Sequence, residues 1–144
     1  MKKTLALICI LLLILVVIIA INFKNIEKEK NEIVKFNLTY EEYNTDNLNG
    51  LDITTLINKA INNNEKYSIS KNEHGYYVDD GMNSIKIYVT MNMNDKTYEM
   101  ERINSVGMNS FIEYFGDVKF ECTDVKYHEK TGRISELIFK SQDQ

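Results

Sequence analysis

Proline and tryptophan are absent from this chain of 144 residues, which holds only two cysteines, two histidines and six glycines. Without proline, chain reversals fall to asparagine, aspartate and glycine. The abundance of asparagine reads first as AT-rich codon usage and second as turn chemistry. The cysteines cannot staple a domain, because Cys9 lies inside an apolar run and Cys122 far beyond it. Cys122 alternates with Val118 and Phe120, which marks it as a small core residue. A basic surplus is missing too. Two of the 17 Lys+Arg, Lys2 and Lys3, precede the apolar run, leaving 15 against 21 Asp+Glu. Backbone phosphates require a positive footprint, so nucleic acid is not an expected partner.

Catalytic signatures are equally scarce. No glycine-rich phosphate loop follows a strand pattern, and no Ser, Cys or Thr has a base and orienter that spacing would pair with it. Carboxylates are many, but none sits in an apolar setting that would tune its pKa. His74 beside Gly75, and His128 at the start of the last hairpin turn, read as solvated turn residues rather than metal ligands. "DDGMN", Asp79 to Asn83, clusters oxygen donors but lacks the spacing and terminal Glu of a calcium loop, so it reads as a turn. We therefore assign no catalytic, cofactor or metal residue, and expect a non-enzyme without an evident small-molecule substrate.

The chain opens instead with what it has in plenty. From Leu5 to Ile21 there is no charge, amide or proline. At about 1.5 Å per residue this gives roughly 25 Å of helix, near the lower limit for crossing a hydrocarbon core. A cleaved secretory signal shares the basic start and apolar middle, but this run is longer and no A-x-A site follows it. The expectation is an uncleaved anchor over 1–23. Lys2 and Lys3 then keep the N-terminus in the cytoplasm and leave the rest of the chain outside.

Residues 24–47 read as a stalk and linker. "KNIEKEKNEIVKF" carries only a narrow apolar stripe, and "NLTYEEYNTDNLNG" is loop-like, with Tyr40 and Tyr43 placed to pin it to the domain. "Asn37-Leu38-Thr39" matches a glycosylation acceptor. In 48–142 the first element is a one-faced helix: Ile53, Leu56, Ile57, Ala60 and Ile61 form one stripe. Asp52 is its expected N-cap, Leu51 and Leu56 its staple, and Asn62–Asn64 its stop. Strands are expected in "YSIS", "GYYVDD", "SIKIYVTM" and "KTYEMER", with "MNMND" as a turn between the last two. "SVGMNSFIEYFG" returns to helical spacing, capped by Ser105 and closed by Gly116. A hairpin around "EKTG" ends the domain, with a bulge near Thr123–Asp124 because Val125 and Tyr127 fall out of register with Val118, Phe120 and Cys122. This order indicates an α+β domain, an antiparallel sheet with one or two helices packed on one face.

Nine tyrosines remain to be explained. Tyr76, Tyr77, Tyr88 and Tyr98 lie on or near the strands and form a candidate interaction surface. The competing account is that tyrosine fits pleated, half-buried positions.

Phe36, Asn37, Tyr43, Gly50, Asp52, Ile53, Leu56, Ile57, Ala60 and Asn63, with the ending "YHEKTGRISELIF", give the chain a wider likeness. It resembles small uncharacterised membrane-anchored extracytoplasmic proteins of low-GC Gram-positive bacteria, some of them described as pilin-like. The resemblance implies a single-pass anchor and an outward-facing domain. Its motifs are structural rather than catalytic. Type IV pilins carry a Glu five residues into the mature apolar run, and no acidic residue lies within 1–23 here. The leading expectation is an interaction or envelope-assembly module with a protein partner. Alternatives are a minor pilin or pseudopilin and, from another class, a small hydrolase or ligand-binding domain with a deep polar pocket.

Overall fold

The computed structural model describes residues 2–93 and 95–142, with the side chains of residues 2–6, 8 and 9 outside the description. Asn94 of the expected "MNMND" turn and the side chains of Lys2, Lys3 and Cys9 therefore lie outside the described residues. The chain divides into two units, Met1–Lys35 and Phe36–Gln144.

The first unit is helical and belongs to α1, Lys2–Glu41. The stretch Ile10–Glu41 is long and apolar enough to cross a membrane by length and composition. Beyond the apolar run the helix is held by local propensity and by pairs such as Lys28–Glu32, 4.0 Å apart and exposed, which adds little.

The second unit begins earlier than the expected domain boundary at 48. Phe36 packs on the core and Tyr40, Tyr43 and Leu48 are buried in it, so the last turn of α1 and the loop after it are parts of the domain. Asn37 is the tie. Its amide donates to the Gly132 carbonyl at 2.9 Å, and its oxygen accepts from the Ile134 N–H at 2.9 Å. Arg133 lies 5.0 Å from the Phe36 ring centroid. The "FN" segment and the "TGRI" hairpin, far apart in sequence, thus close on each other.

Helix α2, Gly50–Lys66, starts one residue after Asn49, which is the N-cap in place of the expected Asp52. Asn49 Oδ1 accepts from the amides of Leu51 and Asp52, and Asp52 accepts from the Asn49 amide at 2.9 Å, a reciprocal box. The staple positions shift with it to Leu48 and Ile53, both buried, whereas Leu51 is exposed. The apolar stripe is as expected: Ile53, Leu56, Ile57 and Ala60 are fully buried. The stop is not. The helix runs through the asparagines because Asn64 is wholly buried and serves another element: it accepts from the Ile85 N–H and donates to the Ile85 carbonyl, each at 2.8 Å. That pair ties the helix to the start of the first strand.

The sheet has four strands, β1 (Lys86–Met91), β2 (Lys96–Glu99), β3 (Phe120–Tyr127) and β4 (Ile134–Ser141), in the order β2-β1-β4-β3. β1–β2 and β3–β4 are antiparallel, but β1 and β4 run parallel, so the sheet is mixed. The reason is topological: two hairpins joined by a helical crossover set their inner strands side by side in the same direction. Ile87, Val89, Leu137, Phe139 and Phe120 supply the buried face. The β3 register shift falls between Cys122 and Asp124, where the bulge was expected.

Two expected strands are missing. Residues 67–85 pair only through an isolated bridge between Lys71 and Tyr77. Here side chains take the backbone away from a ladder: Asn72 Oδ1 accepts from the amides of His74 and Tyr76, each at 3.0 Å. The single helix expected after "KTYEMER" is also two. β2 ends at Glu99, and α3 (Met100–Val106) and α4 (Met108–Phe115) are separated by Gly107 at φ +110°. Met100 is buried from α3 rather than from a strand. Gly116 closes α4 in a right-handed conformation, not the left-handed one expected, and is required for space: a Cβ there would meet the Ile112 carbonyl oxygen at 2.5 Å. α2, α3 and α4 pack on β1, on β2 and on one another over the buried face, and the other face of the sheet is open.

Candidate functional site

The four tyrosines proposed from the sequence do not form one surface. Tyr77 is 2 % exposed and belongs to the core. Tyr76 lines a polar hollow with Lys71, His74, Glu101 and Arg102. Tyr98 pairs with Val89 across β2–β1, which places it on the helix side of the sheet. Tyr88 pairs with Glu99 and Ile138 and so faces the open side. Partial burial, with Glu136, Glu99, Glu101 and Asp79 nearby, pushes the Tyr88 phenol up to about 12. Strand alternation separates Tyr88 from Tyr98, since the two occupy opposite faces.

Tyr98 instead opens an apolar groove of about 320 Å³ with Met91, Ile103, Val106, Phe111 and Tyr114. A second hollow of about 350 Å³ shares Met91, Met93, Tyr114 and Phe115 and extends the groove toward Val118. Its rim is unusually apolar for a surface: Met93 is 85 % exposed, Tyr114 74 % and Val106 61 %. Local rules produce it. Gly107 breaks the chain direction between α3 and α4, and Phe111 enters the core while Tyr114 does not. The sequence signal was present but unread: Tyr114 lies off the Met108–Phe111–Ile112–Phe115 stripe, an aromatic ring on the polar side of its helix.

A second constellation lies at the other end of the irregular segment. His128, expected in solvent, is 4 % exposed. Its Nε2 is 2.8 Å from the Ser84 carbonyl oxygen and its Nδ1 is 3.5 Å from Asp79 Oδ1. Asp79, Asp80 and His128 bring potential ligand atoms within 4.8 Å of one another. Nothing local could have signalled the burial, because the partner residue is 44 positions away. His74, by contrast, is exposed beside Glu73 as expected.

The "DDGMN" turn is tightly bonded. Asp80 Oδ1 accepts from the amides of Asn83 at 2.7 Å and of Met82 and Ser84 at 2.9 Å. Burial pushes its carboxyl up, but these donors outweigh burial and hold the pKa at about 2. The Gly81 amide likewise holds Asp79 below the ordinary carboxylate range. For Asp80 the folded value lies below the unfolded one of about 3.9, so its contribution to stability is complete above about pH 4 and is lost as pH falls toward about 2. Thermal melts of the full-length protein in detergent between pH 5 and pH 2 should show this loss. In Asp80→Asn, which keeps the acceptor oxygen but not the charge, the decline over that window should be shallower.

Compared with known proteins, the chain matches no family model, no curated protein and no solved structure.

Proposed function

We propose that this is a single-pass membrane protein, N-terminus in the cytoplasm, whose α+β domain lies outside and binds a protein partner in the groove between α3, α4 and the β1–β2 hairpin. The observation that carries the reading is the groove itself: a concave apolar floor of Met91, Ile103 and Phe111 under an exposed rim of Met93, Val106 and Tyr114. Methionine and tyrosine are the side chains that adapt to, and anchor, a partner's apolar segment. Arg102 and Ser110 also line the groove, so the partner segment is apolar with a hydrogen-bond acceptor placed for them. The apolar stretch of α1 and the lysines before it support the tether and its orientation. A non-enzymatic role belongs to the same reading, since a mostly apolar lining is what a protein-binding surface requires.

A photo-crosslinking residue placed at Val106 in the membrane-bound protein tests this. The expected result is an adduct with a second protein from Val106, none from Tyr88 on the open sheet face, and loss of the adduct in Tyr114→Ala. Val106→Glu should weaken binding at least tenfold with little change in melting temperature, because the position is exposed. Adducts joining two copies of this chain would favour pilin-like self-assembly. Adducts equally strong from both faces would remove the groove from the account, and recovery of a protein lacking residues 1–23 would remove the anchor.

A further inference from the structure

We propose that Asp79, Asp80 and His128 form a binding site for one divalent cation of the zinc class, with a water molecule completing the coordination. Such a site goes beyond partner binding and does not depend on it.

The inference starts from the proton inventory of His128. The Ser84 carbonyl oxygen, 2.8 Å from Nε2, can only accept, so Nε2 carries a hydrogen. In the neutral ring Nδ1 is then a bare lone pair, and it faces Asp79 Oδ1 at 3.5 Å. Two acceptors set against each other need positive charge between them. A proton on Nδ1 would draw the pair to about 2.7–2.9 Å, the length of a charge-assisted hydrogen bond. The observed separation is longer than that hydrogen bond, and Asp79 Oδ1 is already engaged by Gly81 and Ser84, so the nitrogen's lone pair is left for an ion that the carboxylate would reach through its other oxygen. The histidine side chain is only 2 % exposed, so its nitrogen is aimed into the site rather than into solvent.

The carboxylates fit the same reading. Each aspartate is exposed, which gives an ion a path in and leaves room for water in the fourth position. Each uses Oδ1 for the turn: Asp79 accepts from the Gly81 amide at 2.8 Å and the Ser84 hydroxyl at 2.9 Å, and Asp80 from its three amides. Among the described residues neither Oδ2 accepts a hydrogen bond, so each carboxylate keeps an oxygen for a ligand bond. These contacts fix ligand orientation in the way outer-shell groups do, including the imidazole N–H held by a backbone carbonyl. The loop is itself clamped. Asn63 donates to the Asn83 carbonyl at 2.8 Å, Arg133 to Asn83 Oδ1 at 2.7 Å, and the Thr131 hydroxyl to the Met82 carbonyl at 3.0 Å. One imidazole nitrogen with two carboxylates suits zinc or a similar transition ion better than calcium or magnesium, which take oxygen ligands. Bound there, the cation would pin the irregular segment after α2 to the β3–β4 hairpin.

Zinc chloride titrated into the full-length, chelator-treated protein in detergent micelles provides the test, read by calorimetry. The expected result is saturable binding of one equivalent, a melting temperature raised by several degrees at a hundredfold excess over Kd, and intense visible absorption when cobalt replaces zinc. Asp79→Asn, which keeps an acceptor oxygen for Gly81 and Ser84, should lower affinity at least tenfold when titrated below the variant's own melting temperature. His128→Gln should do the same where it folds, and His74→Ala should change nothing. Absence of one-equivalent binding, unchanged affinity in Asp79→Asn, or loss of binding in His74→Ala would each overturn the proposal.

Discussion

Replacing Ile57 by aspartate should abolish cooperative unfolding of the 36–142 domain. Ile57 is fully buried at the centre of the α2 stripe, among Ile53, Leu56 and Ala60. Removing a buried aliphatic side chain costs about 2–5 kcal/mol, and placing an unpaired carboxylate in the same space adds several more. Together these match the roughly 5–15 kcal/mol that separates an ordinary domain from its unfolded state. Tyrosine near-ultraviolet circular dichroism of the full chain in detergent reads the outcome. The signal should be lost at room temperature, while the helical far-ultraviolet signal of the apolar run persists. Ile57→Val, which removes one methylene, should lower stability by only about 0.5–1.5 kcal/mol. A sharp melt at unchanged temperature in Ile57→Asp would show that α2 is not packed on the sheet.

The second large effect is expected from a smaller change. Gly50→Ala adds one carbon at the first residue of α2, and that carbon would fall well inside contact distance of the Phe115 carbonyl oxygen. The obstacle is backbone, so no side chain can rotate away. Gly50 N–H also donates to the Gly116 carbonyl at 3.0 Å, and Gly116 itself has no room for a side chain. The start of α2 and the end of α4 meet through two glycines, and separating them breaks that hydrogen bond and loosens Phe111, Phe115 and Leu48 around it. We expect a loss of about 3 kcal/mol or more, at the upper end of what overpacking costs. Gly75→Ala is the informative control. Gly75 sits at φ +82° with nothing near its missing side chain, so only the conformational cost of about 1–2 kcal/mol applies. If the two variants melt together, the close approach of α2 and α4 is not what Gly50 provides.

The parts of the fold legible in the sequence were those written in short-range periodicity. The α2 stripe, the alternation through Ile87, Val89 and Met91, the "EKTG" hairpin and its bulge each depend on residues within a few positions of one another. What failed were assignments that needed a distant partner. Asn64 reads locally as a helix stop, but it is a buried bridge because Ile85 presents an otherwise unsatisfied N–H and C=O to it. His128 reads as a turn residue, but the Ser84 carbonyl draws it inward. Asn37 lies in a segment that reads as loop and stalk, but its amide ties that segment to Gly132 and Ile134. Polar side chains such as these have the same local signature in solvent and in a satisfied buried position.

By itself, then, the amino-acid order determined an apolar helix long enough for a bilayer, an acidic remainder and an α+β alternation, because hydrophobic length, charge and period are properties of consecutive residues. Tertiary structure alone decided where the domain begins, that β1 and β4 run parallel, and that Met93, Val106 and Tyr114 share one groove while Asp79, Asp80 and His128 share another site. Those outcomes follow from which distant surfaces bury one another and which backbone groups must find partners, and no window of neighbouring residues contains that information.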